Sequence, residues 1–174
     1  MRLPVFFAAL GCLALTSGSG GAADLGSDAA RCRPNEAGPA ILVDVTGLKD
    51  AAGVLRLELY PDDPHDFLTD DAKLIAAGKT FRRVVQATPP AGSGRLCIRA
   101  PAPGSYALVL IHDRDGKPAF SVWHDGVGVP ANPAVLHGQP TVSQARIAVD
   151  SGVTPVAIRL LYLHGLLSFA PIAR

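Results

Sequence analysis

The stretch Pro101-Ala102-Pro103-Gly104-Ser105-Tyr106-Ala107-Leu108-Val109-Leu110-Ile111-His112-Asp113 decides how this chain is read. A proline-glycine turn sets the bend, and the tyrosine after it opens a strand whose side chains alternate between two sides. Tyr106, Leu108 and Leu110 share one side while Ala107, Val109 and Ile111 share the other, so each side has something to bury. A tyrosine at such a corner of a Greek-key sandwich buries its ring and bonds nearby backbone through its hydroxyl, which makes Tyr106 a structural residue.

The same period of two recurs on both sides of this strand, in short runs bounded by Gly, Pro or Asp. Ile41, Val43 and Val45 alternate with Asp44 and Thr46, and Leu55, Leu57 and Leu59 alternate with Arg56 and Glu58. Further strands are expected at 80–87, 95–100, 145–149 and 156–163, with an extra edge at 119–123. Only Thr69 to Ala77 reads as a helix, with Thr69 as cap, Asp70 and Asp71 in the first turn and Gly78 as stop. The expectation is an all-β sandwich of about seven strands with one short helix. It occupies residues 40–163 of the 174, behind a polar lead-in at 24–39 and ahead of an apolar tail at 164–174 that the sequence gives no role.

Residues 1–23 have the layout of a secretory signal peptide: Arg2, an apolar run from Leu3 to Leu15, and small residues Gly21 and Ala23 before Asp24. That run is shorter than the roughly 20 residues that span a bilayer, so the mature chain is expected to have no transmembrane segment. Ala9-Leu10-Gly11-Cys12 resembles a lipobox only loosely. Cleavage removes Cys12 and leaves Cys32 and Cys97, which are expected to pair as a structural disulfide in an oxidising compartment, periplasmic or extracellular.

The content of 48% hydrophobic and 18% charged residues, with 18 Gly and 15 Pro, supports one turn-rich domain with its own core. The formal net charge of +1 falls to zero without Arg2, which excludes a general nucleic-acid footprint. Within that balance the charges are segregated. Glu58, Asp62, Asp63, Asp66, Asp70 and Asp71 are followed by Lys73, Lys79, Arg82, Arg83, Arg95 and Arg99. They can pair with one another, or form an acidic patch for calcium or a basic patch for an anionic partner.

From Ile41 to about Leu163 the chain resembles the secreted bacterial proteins grouped as domain of unknown function 2141. The resemblance rests on Gly47-Leu48, on Gly53-Val54-Leu55-Arg56-Leu57-Glu58-Leu59-Tyr60, on the Pro101 to Ala107 corner, on His112-Asp113 and on Gly128-Val129-Pro130. It implies an immunoglobulin-like or prealbumin-like Greek-key sandwich outside the cytoplasm, and no reaction. The chain departs from the family pattern in its shortened Arg114-Asp115-Gly116-Lys117 loop and in lacking a later Gly-Phe-Ser element.

His112-Asp113 recurs as His124-Asp125 with Asp115 between them, so loops could gather imidazole and carboxylate groups for binding. Asp113-Arg114-Asp115-Gly116-Lys117 begins like a calcium loop, yet it places Lys where a third oxygen ligand belongs. The expected arrangement is therefore a turn in which Asp113 and Asp115 bond loop amides and His112 ends its strand. No serine has a Gly-x-Ser-x-Gly context and no phosphate loop is present.

The reading is an exported, non-catalytic binding or structural module of the cell envelope. No metal or other cofactor is expected, and the ligand or protein partner stays open. The alternative is a small metal-dependent hydrolase or metal-binding protein using His112, Asp113, Asp115, His124 and Asp125. On this reading Tyr106 matters more to stability than either histidine.

Overall fold

The computed structural model describes residues 32, 38–90, 92–117, 119–166 and 168–172. The segment read as a signal peptide lies outside them, as does most of the lead-in. Eleven strands and two short helices are present among the described residues, against about seven strands and one helix expected. In chain order they are β1 (Ala40–Thr46), β2 (Val54–Pro61), α1 (Asp71–Ala76), β3 (Arg82–Ala87), β4 (Gly94–Arg99), β5 (Gly104–Asp113), β6 (Gly126–Gly128), β7 (Leu136–His137), α2 (Val142–Ala145), β8 (Arg146–Val149), β9 (Val153–Arg159), β10 (Leu161–His164) and β11 (Ser168–Ala170).

The strands form two packed sheets. The smaller has β1 at its centre, antiparallel to β4 and parallel to β9. The larger runs β3-β2-β5-β6-β10-β11-β7, with β8 paired beside the first half of β5. Between them lies the main core, where Ile41, Val43, Val45, Leu96 and Ile98 meet Leu55, Leu57, Leu59, Leu108 and Leu110. Each such side chain, once buried, contributes roughly 1.5 to 3 kcal/mol before entropy is counted. Tyr106 joins this core and donates its hydroxyl proton to the Ala102 carbonyl at 2.8 Å, closing the corner four residues back.

A second core lies on the opposite face of the larger sheet, where Tyr60, Val109, Ile111, Val127 and Phe169 are covered in part by Leu74 of α1 and Ala145 of α2. That is why β5 is apolar on both sides: it is a central strand buried on both faces. The α1 cap is Asp70 and not Thr69, its side chain accepting from the Lys73 N–H at 3.2 Å, while Gly78 turns the chain at φ +66°. Asp competes well for an N-cap because its carboxylate lies close to the free amides.

Three further differences have physical causes. The run 156–163 is not one strand: it crosses between sheets at Leu160, which is fully buried and donates its N–H to Thr46 O at 3.0 Å. Alternation continues through such a crossing, so the sequence does not show it. Residues 119–123 form no strand, and instead the Ser121 carbonyl accepts from the His124 and Asp125 amides in a turn. The short strand β6 is glycine at both ends because a Cβ on Gly126 would stand 2.5 Å from the Tyr162 ring, and one on Gly128 2.6 Å from Ile158. From the segment 164–174, β11 pairs β10 and buries Phe169. Cys32 is bonded to Cys97 of β4, with 5.9 Å between the Cα atoms.

Candidate functional site

His112 and Asp113 are neighbours in one strand and therefore point to opposite faces of the sheet. His112 is wholly buried and lies toward Tyr162. Its Nε2 is 2.8 Å from the Ala52 carbonyl, which can only accept, so Nε2 carries the proton. The unprotonated Nδ1 then accepts from the Tyr162 hydroxyl at 2.7 Å, and that oxygen accepts in turn from the Lys49 N–H at 3.0 Å. Every polar group in the chain of bonds is satisfied, and the result pins the turn 49–53 to both β5 and β10. Gly53, at φ +64°, is required there because a Cβ would meet the Asp113 carbonyl oxygen at 2.0 Å.

Burial pushes the His112 imidazole below its ordinary 6.5, against the raising effects of the Ala52 bond and of Asp50. Burial likewise lifts the Tyr162 phenol to about 12. Beside them Arg114 grips Asp50, with Nε at 3.1 and 3.0 Å from its two oxygens, and this hydrogen bonding holds the Asp50 carboxyl below 3.8. Because folded His112 holds a proton less tightly than unfolded His112, its contribution is complete above about pH 6.5 and is lost as the pH falls through the folded value. Urea unfolding from about pH 7.5 to about pH 5 is expected to show that decline, and His112→Gln to remove this part of it. An unchanged slope in the variant would contradict the assignment. The Asp50 contribution, from a carboxyl held low, is lost only at more acid pH and is separable.

Of the candidate binding residues, the fold brings together Asp113, Asp115 and Asp125, each offering an oxygen within 4.8 Å of the others. Neither histidine joins them: His112 is on the far face, and His124 is exposed on the turn before Asp125. Each of the three carboxylates accepts loop amides, while the second Asp115 oxygen is buried without a hydrogen-bond partner. Asp125 accepts from the Arg114 and Ser121 amides at 2.9 and 2.8 Å. Asp113 accepts from the Gly116 amide at 2.8 Å and faces Arg56 at 3.4 Å. Asp115 accepts from the Lys117 amide at 3.1 Å, and the Lys117 ammonium is 3.1 Å from its second oxygen. The lysine read as out of place in a calcium loop is the counter-charge of that loop.

A larger feature lies on the outer face of the larger sheet. A cavity of about 930 Å³ opens there, within the range of small-molecule sites. Arg56, Glu58 and Tyr60 of β2 and Arg83 of β3 form its polar floor; Val109, Ile111, Val127, Leu163 and Phe169 form its apolar wall. Phe120, Val122 and Leu166 stand at the lining and are exposed, Leu166 almost completely. On the floor Glu58 is almost wholly buried. One of its oxygens receives Arg83 Nε at 2.8 Å and lies 3.0 Å from Arg56 Nε, while the other accepts the Tyr60 hydroxyl proton at 2.7 Å. Arg83 also reaches Asp71 at 2.7 Å, so part of the segregated charge pairs internally. Burial, then Glu58, holds the Tyr60 phenol firmly protonated.

None of this cavity was named from the sequence, since its lining comes from strands far apart in the chain. One signal was present. Arg56 and Glu58 face outward from β2, beside a strand apolar on both sides, and charges next to a covered face must be buried and paired.

Among the described residues, no helix is long and apolar enough to cross a membrane. A family model described as "Uncharacterized protein conserved in bacteria (DUF2141)" matches residues 43–157, from within β1 to within β9. No curated protein and no solved structure matches the chain.

Proposed function

The chain belongs to the uncharacterised bacterial DUF2141 family; a family so described supplies no reaction, and from the geometry we propose that the protein is a non-catalytic binding module whose ligand occupies the cavity on the outer face of the larger sheet. The observation that carries this reading is the pairing of a roomy apolar wall with a buried ionic floor in one cavity. His112, Asp113 and Asp125 are engaged in structural bonds, as the chain from Lys49 through Tyr162 and His112 to Ala52 illustrates. Strands supply the floor and wall, and loops supply the mouth.

Binding is tested with the uncharged fluorophore N-phenyl-1-naphthylamine. Saturable one-to-one enhancement is expected, weakened about tenfold or more in Leu163→Trp, which fills the cavity from β10. Unfolding of the variant near the parent midpoint controls for its fold. Absence of saturable binding, or equal binding by the variant, would refute the site.

The metal reading has the Asp113, Asp115 and Asp125 grouping in its favour. Calorimetric uptake of calcium at one ion per chain, lost in Asp115→Asn, would turn the assignment toward it. The proposal further places the protein outside the cytoplasm, in the cell envelope. The Cys32–Cys97 disulfide and the layout of residues 1–23 support export. N-terminal sequencing of the exported protein is expected to begin at Asp24, and a start at Met1 or at a lipidated Cys12 would overturn it. The immunoglobulin-like or prealbumin-like kinship of the sandwich belongs to the same proposal and rests on the family resemblance and the Tyr106 corner.

A further inference from the structure

We propose that the cavity selects an amphipathic carboxylate, whose head group meets Arg56 on the floor while its apolar body lies along Val127, Leu163 and Phe169 toward the Phe120 mouth. This rests on the cavity being the binding site and adds the chemical class of the ligand. The argument is a count of donors and acceptors at the floor. Glu58 and Asp71, the acidic groups packed against the arginines, are spent. Glu58 takes Arg83 and Tyr60 on separate oxygens, with Arg56 beside the first. Asp71 takes Arg83 on one oxygen and the Ala72 amide on the other, and Asp70 caps α1.

Arg56 is different. Its guanidinium carries a fork of N–H donors and no acceptor. Only 12% of its side chain is exposed. Its Nη1 reaches Asp113 at a long 3.4 Å. Its Nε, though 3.0 Å from Glu58, is not aligned to donate and has no hydrogen-bond acceptor. No described residue accepts from its Nη2. A buried cation with donors to spare is the complement of a planar, two-oxygen acceptor, and the Arg fork matches a carboxylate in shape as well as charge. An ammonium head would face the same guanidinium without an acceptor to offer. The lining also holds His137 and Gln139, but the path along Val127, Leu163 and Phe169 is apolar, so the part of the ligand that lies there is apolar.

The test displaces N-phenyl-1-naphthylamine from the full chain with dodecanoate, dodecanamide and dodecyltrimethylammonium, all below their micelle concentrations. Dodecanoate is expected to displace the fluorophore at a concentration about tenfold or more below dodecanamide, with the ammonium weakest, as charge-assisted bonds exceed neutral ones. In Arg56→Gln, with each displacement referred to the fluorophore affinity measured in that same variant, the preference for dodecanoate should collapse to within about threefold of dodecanamide. If the fluorophore does not bind the parent protein at all, the cavity reading itself fails. If it binds and the three heads displace it alike, or the ammonium is best, the cavity stands and the carboxylate assignment is wrong. The head-group series on the parent chain decides this even if Arg56→Gln does not fold.

Discussion

Replacing His112 with alanine is expected to lower the stability of the fold by about 3 to 4 kcal/mol. The imidazole is wholly buried, so its loss leaves a void between β5 and β10. It also strands two polar groups, the Ala52 carbonyl and the Tyr162 hydroxyl, each of which costs about 1 to 3 kcal/mol when left unpaired. A water entering the void would recover part of that, which sets the expected value below the full sum. The measurement is the urea midpoint at about pH 7.5, where the imidazole is neutral in both states. Tyr162→Phe should cost less, because the ring stays on Gly126 and only the hydroxyl is lost. The double variant should lose less than the two singles combined, since both act on one bond. His112→Ala within about 1 kcal/mol of the parent would show that the network does not hold the 49–53 turn.

Breaking the Cys32–Cys97 bond is expected to cost about 4 kcal/mol, the chain-entropy estimate for a separation of 65 residues. Leu96 and Ile98 point into the main core, so Cys97 between them faces outward from the smaller sheet. The bond therefore fastens Cys32 to the outer side of β4 instead of filling the core. Its effect comes mainly from restricting the unfolded chain, and the native sheets should persist without it. Denaturant unfolding with and without reductant, together with the Cys32→Ala/Cys97→Ala variant, measures the loss. Intact mass should rise by about two hydrogens on reduction. Thiols that titrate in the untreated folded protein, or a midpoint that reductant does not move, would count against the bond.

With His112 wholly buried, the expected order of importance differs from the one that the sequence suggested. A histidine that ends an apolar strand next to an aspartate reads as the border of a polar loop, and on that reading its removal is mild. Its position two residues after Leu110 on the same face was the available clue, because period two carries the core side of β5 through Leu108 and Leu110 to His112. What could not be read was the partner: Tyr162 lies 50 residues away in sequence, on a strand entered only after the chain changes sheets at Leu160. The acidic candidates fared differently. Asp113, Asp115 and Asp125 do come together, since a short loop and one turn separate them; the bonds of Asp113 and Asp115 to loop amides were legible from the turn, whereas the Arg114 and Ser121 amides on Asp125 were not.

By itself the sequence determined the local pattern: the strands from Ile41 through Ile111, the corner at Tyr106, the helix stopping at Gly78, the cysteine pair, and the family. These follow from alternation, turn chemistry and residue type, which act over a few residues and leave their mark on the chain. The tertiary structure decided which sheet each strand joins, that the larger sheet is covered in part on its outer face, and that Arg56, Glu58 and Arg83 meet at the floor of a cavity there. Those outcomes depend on contacts between residues far apart in sequence, where the same alternating strand can lie at an edge or a centre, and only the packed neighbours say which.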